Sequence, residues 1–215
     1  MSRRYDCSDA QDRASGLREA ATAIRRGELV VVPTDTLYGI AADAFSPEAV
    51  GALLAAKGRG RNMPSPVLVG SPTTLHGLVT DFSEQAWELV DAFWPGGLTL
   101  VARHQPSLRW DLGETRGTVA VRMPLHPVAL ELLNTTGPLA VSSANKTGGP
   151  SPSTCDAAEE QLGDAVSIYL DGGTADYATA STIVDVTGKV PVVLRAGAIS
   201  VEQLREVAPD VEAGS

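Results

Sequence analysis

Residues 30–39, Val30-Val31-Val32-Pro33-Thr34-Asp35-Thr36-Leu37-Tyr38-Gly39, decide the fold class. Three β-branched apolar residues read as the core of a buried strand from Glu28 to Val32, and Pro33 stops it. The strand delivers a tight turn that holds two hydroxyls, a carboxylate and a phenol. In α/β sheets ligands bind at strand ends. An Asx or Ser/Thr turn that satisfies its own backbone uses the same residues. From this stretch alone, both uses stand.

Outward from it, strands and helices are interspersed. Leu17, Ala20, Ala21 and Ile24 recur at helical spacing within 14–26. Ser46 and Pro47 read as a cap and first turn of a helix that ends near Lys57. Ser83 caps a helix through Phe93, stopped by Pro95-Gly96-Gly97. Helices are expected at 127–134 and 155–162, and Ser200 with Gln203 forms a capping box for a last one. Strands are expected at Val67–Val69, Leu98–Ala102, Val119–Arg122, Leu139–Ser142, Val166–Leu170, Thr182–Val186 and Val192–Arg195. This order predicts an α/β fold: a single domain, with a twisted mixed sheet and packed helices. The domain is placed at residues 14–207, with an N-terminal segment at 1–13 and a loose tail at 208–215.

Composition narrows the function classes. The chain has 215 residues, enough to bury a core without disulfides or metal. It is 43% hydrophobic and 20% charged, which excludes disorder, collagen and coiled coil as the main state. No apolar run approaches the roughly 20 residues that span a bilayer, and residues 1–14 have no apolar h-region. Two cysteines, Cys7 and Cys155, are too few for a disulfide scaffold. The expected location is therefore the cytoplasm, with no membrane. The net charge of −9 disfavours a broad nucleic-acid face, and no stable DNA binding is expected. No Walker pattern, H-E-x-x-H, C-x-x-C or G-x-S-x-G occurs, so covalent catalysis and a protein metal cage have no support.

What remains is chemistry by positioning and charge. Lys57-Gly58-Arg59-Gly60-Arg61 puts three cations in five residues, although the chain has only three lysines. It reads as a solvated loop or as an anion site. Arg122 ends an apolar strand, so it needs an internal carboxylate or the carboxylate of a ligand. Ser142-Ser143-Ala144-Asn145-Lys146-Thr147-Gly148-Gly149-Pro150-Ser151 is a plain polar turn or an anion nest. Arg195 again follows an apolar strand, and Ser181 opens another. Four strand ends carrying arginine or clustered hydroxyls suggest a concave cationic cavity in an acidic body, suited to a small polyanion.

These segments, in this order, resemble the YrdC-like threonylcarbamoyl-AMP synthases. The resemblance is carried by PTDTLYGIAADAF, the K-G-R of Lys57 to Arg59, VAVRMPLHP, SSANKTGGPSPST, STIVDVTG and LRAGAIS. It covers roughly residues 20 to 200 and points to the short, single-domain form. It implies an enzyme, a nucleotidyltransferase that makes threonylcarbamoyl-AMP and pyrophosphate from L-threonine, bicarbonate and ATP. A tRNA-modifying transferase complex would then pass the threonylcarbamoyl group to the adenosine beside the anticodon. By position, Thr36, Arg122 and Ser181 would contact threonine, with a backbone contact at Val141. Lys57, Arg59, Thr118, Ser143, Asn145, Ser151 and Arg195 would contact ATP, with Lys57, Arg59, Ser143 and Asn145 as the catalytic set. Mg²⁺ would arrive through ATP.

Two features depart from the family pattern. The loop between Arg59 and Val67 is longer than usual, and the place of a frequent family histidine falls on Gly70. Two other readings are open. One is the carbamoyl-adenylate chemistry of the YrdC-like part of hydrogenase-maturation carbamoyltransferases, and the other is an RNA-binding module. Only four tyrosines argue against a base-stacking platform.

Overall fold

The computed structural model describes residues 2–177 and 179–214. Twelve strands form one sheet: β1 (Arg3–Asp6), β2 (Val30–Val32), β3 (Gly39–Asp43), β4 (Val67–Leu68), β5 (Val79–Thr80), β6 (Leu98–His104), β7 (Thr118–Arg122), β8 (Leu139–Ser143), β9 (Ile168–Asp171), β10 (Thr182–Asp185), β11 (Val192–Arg195) and β12 (Glu212–Ala213). Among the described residues, seven α-helices accompany them: α1 (Ala10–Arg25), α2 (Pro47–Lys57), α3 (Leu75–Leu78), α4 (Glu84–Phe93), α5 (Pro127–Thr136), α6 (Cys155–Leu162) and α7 (Val201–Val207). The strand order is β1-β9-β2-β3-β8-β4-β7-β6-β10-β11-β12, with β5 paired to β6. Parallel and antiparallel pairs mix, as expected. β2, β3, β8 and β4 are linked antiparallel, while β1, β9 and β2 run parallel.

The sheet's two faces are covered unequally. One apolar cluster joins residues of α2, α3, α4, α6 and α7 to Val67, Val69, Leu98, Leu100, Val119, Val121, Val184 and Val193. The other joins α1 and α5 to β9, β2, β3, β8 and β4 through Ile168, Val30, Ala41, Leu139 and Leu68. This second cluster includes no residue of β7, β6, β10 or β11. Side chains alternate along a strand, so the same four strands offer a different set to that open face. Ala120 and Arg122, Thr99 and Val101, and Ile183 lie there.

The ends of the chain belong to the fold more fully than the sequence suggested. β1 extends the sheet beside β9 in a parallel ladder, and Arg4 bonds Asp171, Asp156 and Glu159. α1 starts at Ala10, where the Asp9 carboxylate caps two backbone N–H groups. At the other end, β12 pairs with β11. β1 and the start of α1 thus fall within residues 1–13, and β12 falls within residues 208–215. Met1 and Ser215 lie outside the described residues. β3 is absent from the strands expected from the sequence, because Gly39-Ile40-Ala41-Ala42-Asp43 lacks the β-branched run that marks β2.

Close backbone approach fixes the rim of the open face. A Cβ on Gly197 would lie 2.3 Å from the Ala180 carbonyl oxygen and 2.5 Å from the Ser181 carbonyl carbon. The Ala198 N–H bonds that same Ala180 oxygen at 2.9 Å. Both obstacles are backbone, so Gly197→Ala should destabilise the protein by roughly 1–3 kcal/mol. Urea unfolding reads this as a lower midpoint at unchanged slope, and an unchanged midpoint would mean that the 180–181 backbone yields freely.

Candidate active site

The open face is a cavity of about 380 Å³. Among the residues lining it, the charged ones are Arg59, Arg122 and Arg195. Hydroxyls of Thr34, Thr36, Thr99, Ser142, Ser143, Ser151 and Ser181 surround them, and Leu68, Val101, Val141 and Ile183 form its apolar wall. A second depression of about 610 Å³ lies beside β1 and the start of α5. Its arginines, Arg4 and Arg13, are engaged by Asp171 and Glu131, and none of the expected site residues lines it.

Arg122 resolves one sequence alternative in favour of an internal partner. Its guanidinium donates from Nη2 to Asp35 Oδ1 at 2.6 Å, from Nη1 to Thr36 Oγ1 at 2.7 Å and from Nε to the Gly96 carbonyl at 2.8 Å. Arg122 is 6% and Asp35 1% exposed, so the pair is desolvated. Burial lowers the Arg122 pKa, while Asp35 opposes the shift. The carboxylate is held in turn by the Leu125 N–H at 2.9 Å, and its Oδ2 is buried without a partner. A guanidinium has five N–H donors, so one on each terminal nitrogen stays available. The internal pair therefore fixes the fork without exhausting it.

Val141 lies nearby, with its N–H on the Pro66 carbonyl at 2.8 Å. The Val67–Ala140 pairing puts Pro66 opposite Val141. An antiparallel pair of this kind returns a bond from the opposite N–H, and proline has none. The Val141 carbonyl thus loses its ladder partner at the cavity wall. A proline in the sequence creates the free backbone acceptor.

The K-G-R segment and the S-x-N loop are one assembly. α2 ends at Lys57, and Gly58 turns left-handed at φ 60°. Lys57 is 3% exposed and does not line the cavity. Its ammonium donates to the Ser143 carbonyl, to the Asn145 carbonyl at 2.6 Å and to Asn145 Oδ1 at 3.5 Å. Burial, then the neighbouring Arg59, pushes its pKa down to about 8. Asn145 likewise turns inward, donating from Nδ2 to the Lys146 and Gly149 carbonyls at 2.9 Å each. Arg59 does face the cavity. Its Nη1 donates to Ser142 Oγ at 2.8 Å, and its Nε is buried without a partner. Burial lowers its pKa. The longer loop that follows is clamped to 111–114 by the Ser65 and Glu114 N–H groups and by the Arg61–Asp111 pair at 2.8 Å.

Across the cavity, Arg195 donates to the Ser181 carbonyl and hydroxyl, at 2.7 and 3.1 Å from Nη2. Burial lowers its pKa too. Thr118 stands at the far end of β7 and does not line the cavity, because its hydroxyl donates to the Thr115 carbonyl at 2.8 Å. Gly70 is also outside the lining: a Cβ there would lie 2.5 Å from Asn134 Oδ1 on α5. The helix occupies the place that a side chain at 70 would take. Sequence reasoning missed Thr99 as a member of this site, and it quoted Ser142 and Asp35 within candidate stretches without placing them in the site set. A lone threonine alternating with Leu98 and Leu100 was the available signal for Thr99. Cys7 and Cys155 are buried, burial pushes both thiols up to about 12, and neither lines the cavity.

Comparison with known proteins follows this geometry. Residues 22–197 match the Sua5/YciO/YrdC family model, described as "Telomere recombination". The chain is 56% identical over 207 residues to a putative threonylcarbamoyl-AMP synthase of Mycobacterium tuberculosis, covering 96% of this chain and 95% of that protein. It is 36% identical to the threonylcarbamoyl-AMP synthase of Pyrococcus abyssi, over 91% of this chain and 58% of that one. The crystal structure of P. abyssi Sua5 complexed with L-threonine superposes with a TM-score of 0.93 at 33% identity. The match covers all of this chain and 62% of that one. By the extent of its family match and of its full-length relatives, this chain belongs to the Sua5/YciO/YrdC family.

Proposed function

We propose that the protein is a threonylcarbamoyl-AMP synthase: it converts L-threonine, bicarbonate and ATP to threonylcarbamoyl-AMP and pyrophosphate. The observation that carries this reading is the cavity, which has three arginines around an otherwise hydroxyl-rich and apolar wall. It accords with the names of the full-length relatives. The enzyme would work in the cytoplasm, and among the described residues no helix is long and apolar enough to cross a membrane. Its product would go to a tRNA-modifying transferase complex.

In this reading, the threonine amine and bicarbonate condense to a carbamate with loss of water. A carbamate oxygen attacks the α-phosphate and pyrophosphate leaves. The two free N–H groups of Arg122 hold the threonine carboxylate, and the unpaired Val141 carbonyl accepts from the amine. Arg59, Arg195, Ser143 and Ser151 face the phosphates. Lys57 and Asn145 act through the 143–149 loop they hold, and Thr118 marks the outer end of the nucleotide site. Such positioning and charge neutralisation need no enzyme nucleophile. Among the described residues no group of three acidic, histidine or cysteine side chains is placed to cage a metal. Mg²⁺ would be held by the ATP phosphates and water, with Ser143 and Ser151 as neighbouring oxygens, and would neutralise phosphate charge.

Product analysis tests the reaction. Threonylcarbamoyl-AMP and pyrophosphate should form only with threonine, bicarbonate and ATP together; orthophosphate as the first product would overturn it.

Arg122→Lys tests the carboxylate clamp. Lysine cannot reproduce a planar fork, and it loosens a buried ion pair. The threonine KM should rise at least tenfold, the ATP KM should stay within twofold, and Tm should fall. A lower Tm with both KM values unchanged would leave Arg122 with a structural role only.

The loop tether predicts a pH dependence. The Lys57 ammonium is full below about pH 8 and loses a donor above it. The kcat/KM for ATP should therefore fall on the alkaline side with an apparent pKa near 8. In Arg59→Ala the residual activity should carry this limb to higher pH, because one cause of the lowering is gone. A profile flat to pH 9.5 would show that the tether does not need the proton.

A further inference from the structure

A hydroxyl pair that joins Thr99, outside the expected set, to Ser181, inside it, has one proton too many for the protein. Thr99 is 3% and Ser181 8% exposed, both line the cavity, and their hydroxyl oxygens are 2.8 Å apart. β6, which carries Thr99, lies between β7, which ends in Arg122, and β10, which follows Ser181. Each hydroxyl owns one proton. The bond between them uses one of the two, whichever residue donates. Arg195 also reaches Ser181 Oγ, at 3.1 Å, but a guanidinium only donates, so it takes up acceptor capacity and removes no proton. Among the described residues neither oxygen has another acceptor. One O–H is left at the cavity wall, and a buried donor without an acceptor is unfavourable.

We propose that Thr99 is a substrate-positioning residue, which works with Ser181 and Arg195 to present a single hydroxyl donor to the carboxylate of the amino-acid substrate. This rests on the threonylcarbamoyl-AMP synthase reading and extends it to a residue the sequence did not single out. The Arg195 N–H takes one lone pair of Ser181 Oγ, so whichever hydroxyl donates within the pair, a single proton is turned outward. An oxygen anion is the complement of that arrangement, and an amide NH₂ is not. Arg122 reaches the same ligand from the neighbouring strand with charge, while the hydroxyl pair supplies orientation.

The Thr99→Val substitution keeps the shape and deletes one hydroxyl. Ser181 then loses its fixed partner, and the threonine KM should rise about tenfold while the ATP KM stays within twofold. Thr99→Ser should restore the threonine KM to within threefold of wild type, which a lost packing contact would not do. The coupling to Ser181 is read from a double-mutant cycle. Thr99→Val combined with Ser181→Ala should be no worse than Ser181→Ala alone. If Thr99→Val fails to fold, Thr99→Ala in the same cycle gives the same coupling. An unchanged threonine KM, or penalties that multiply independently, would overturn the proposal. The wild-type enzyme run alongside separates this from the parent reading: no threonylcarbamoyl-AMP from wild type rejects that reading, whereas normal wild-type turnover with an indifferent Thr99 rejects only the positioning role.

Discussion

A wide sheet exposes two faces, and here helices cover one whole face and only part of the other. α1 and α5 seal the second face over β9, β2, β3, β8 and β4 and stop there. Leaving apolar strand faces in water is unfavourable at roughly 25 cal/mol per Å². The open strands instead dilute the apolar surface on that side, where Thr99, Ala120 and Arg122 stand beside Val101 and Ile183, against leucine and valine beneath. The period-two alternation along β6, β7 and β10 therefore does two jobs. One side builds the core and the other builds the site, so a site residue cannot slip by one position without exchanging places with a core residue.

Placing arginines on such a surface raises a desolvation problem, and the three are treated differently. Arg122 is the deepest and has the acid, Asp35, with Thr36 and the Gly96 carbonyl completing its bonds. Arg59 and Arg195 are less buried and lean on Ser142 and Ser181. Lys57, which the K-x-R pattern puts beside Arg59, is removed from the cavity altogether. It gathers the carbonyls of the 143–145 turn, converting a polar loop into a fixed one. The segments around residues 57 and 145 are thus held together by the protein's own bonds, which is the condition for electrostatic preorganisation.

Much of this was legible from the chain, because its strands are β-branched and its helices carry clear caps at Ser46, Ser83 and Ser200. β1 and β12 were not, since four or fewer polar residues become strands only by docking on an existing edge. The site shows the same division. Sequence could place Arg122 at a strand end and pose two partners for it; only coordinates show the internal acid using part of the fork and leaving the rest. Likewise the direction of Lys57 depends on which face of α2 meets the turn after β8, a tertiary fact with no local signature. The vacancy at Gly70 was visible, but its cause, the α5 residue Asn134 lying against it, was not.

The unequal pairing of the arginines also gives the cavity a direction. Arg122 is neutralised by Asp35 at 2.6 Å, whereas Arg59 and Arg195 have no ion-pair partner among the described residues. The unpaired positive charges of the cavity lining therefore rest on Arg59 and Arg195 rather than on the Arg122–Asp35 pair. A substrate pair consisting of one carboxylate and one polyphosphate differs in charge in the same sense. The singly charged group suits a fork already half satisfied, and the multiply charged group suits the two arginines without acids. In the proposed reading, sorting of the two groups by charge would thus precede recognition of base or side chain. In the proposed reaction, such a site would bring a carbamate oxygen toward a phosphorus atom by geometry and fixed charge rather than by a nucleophile.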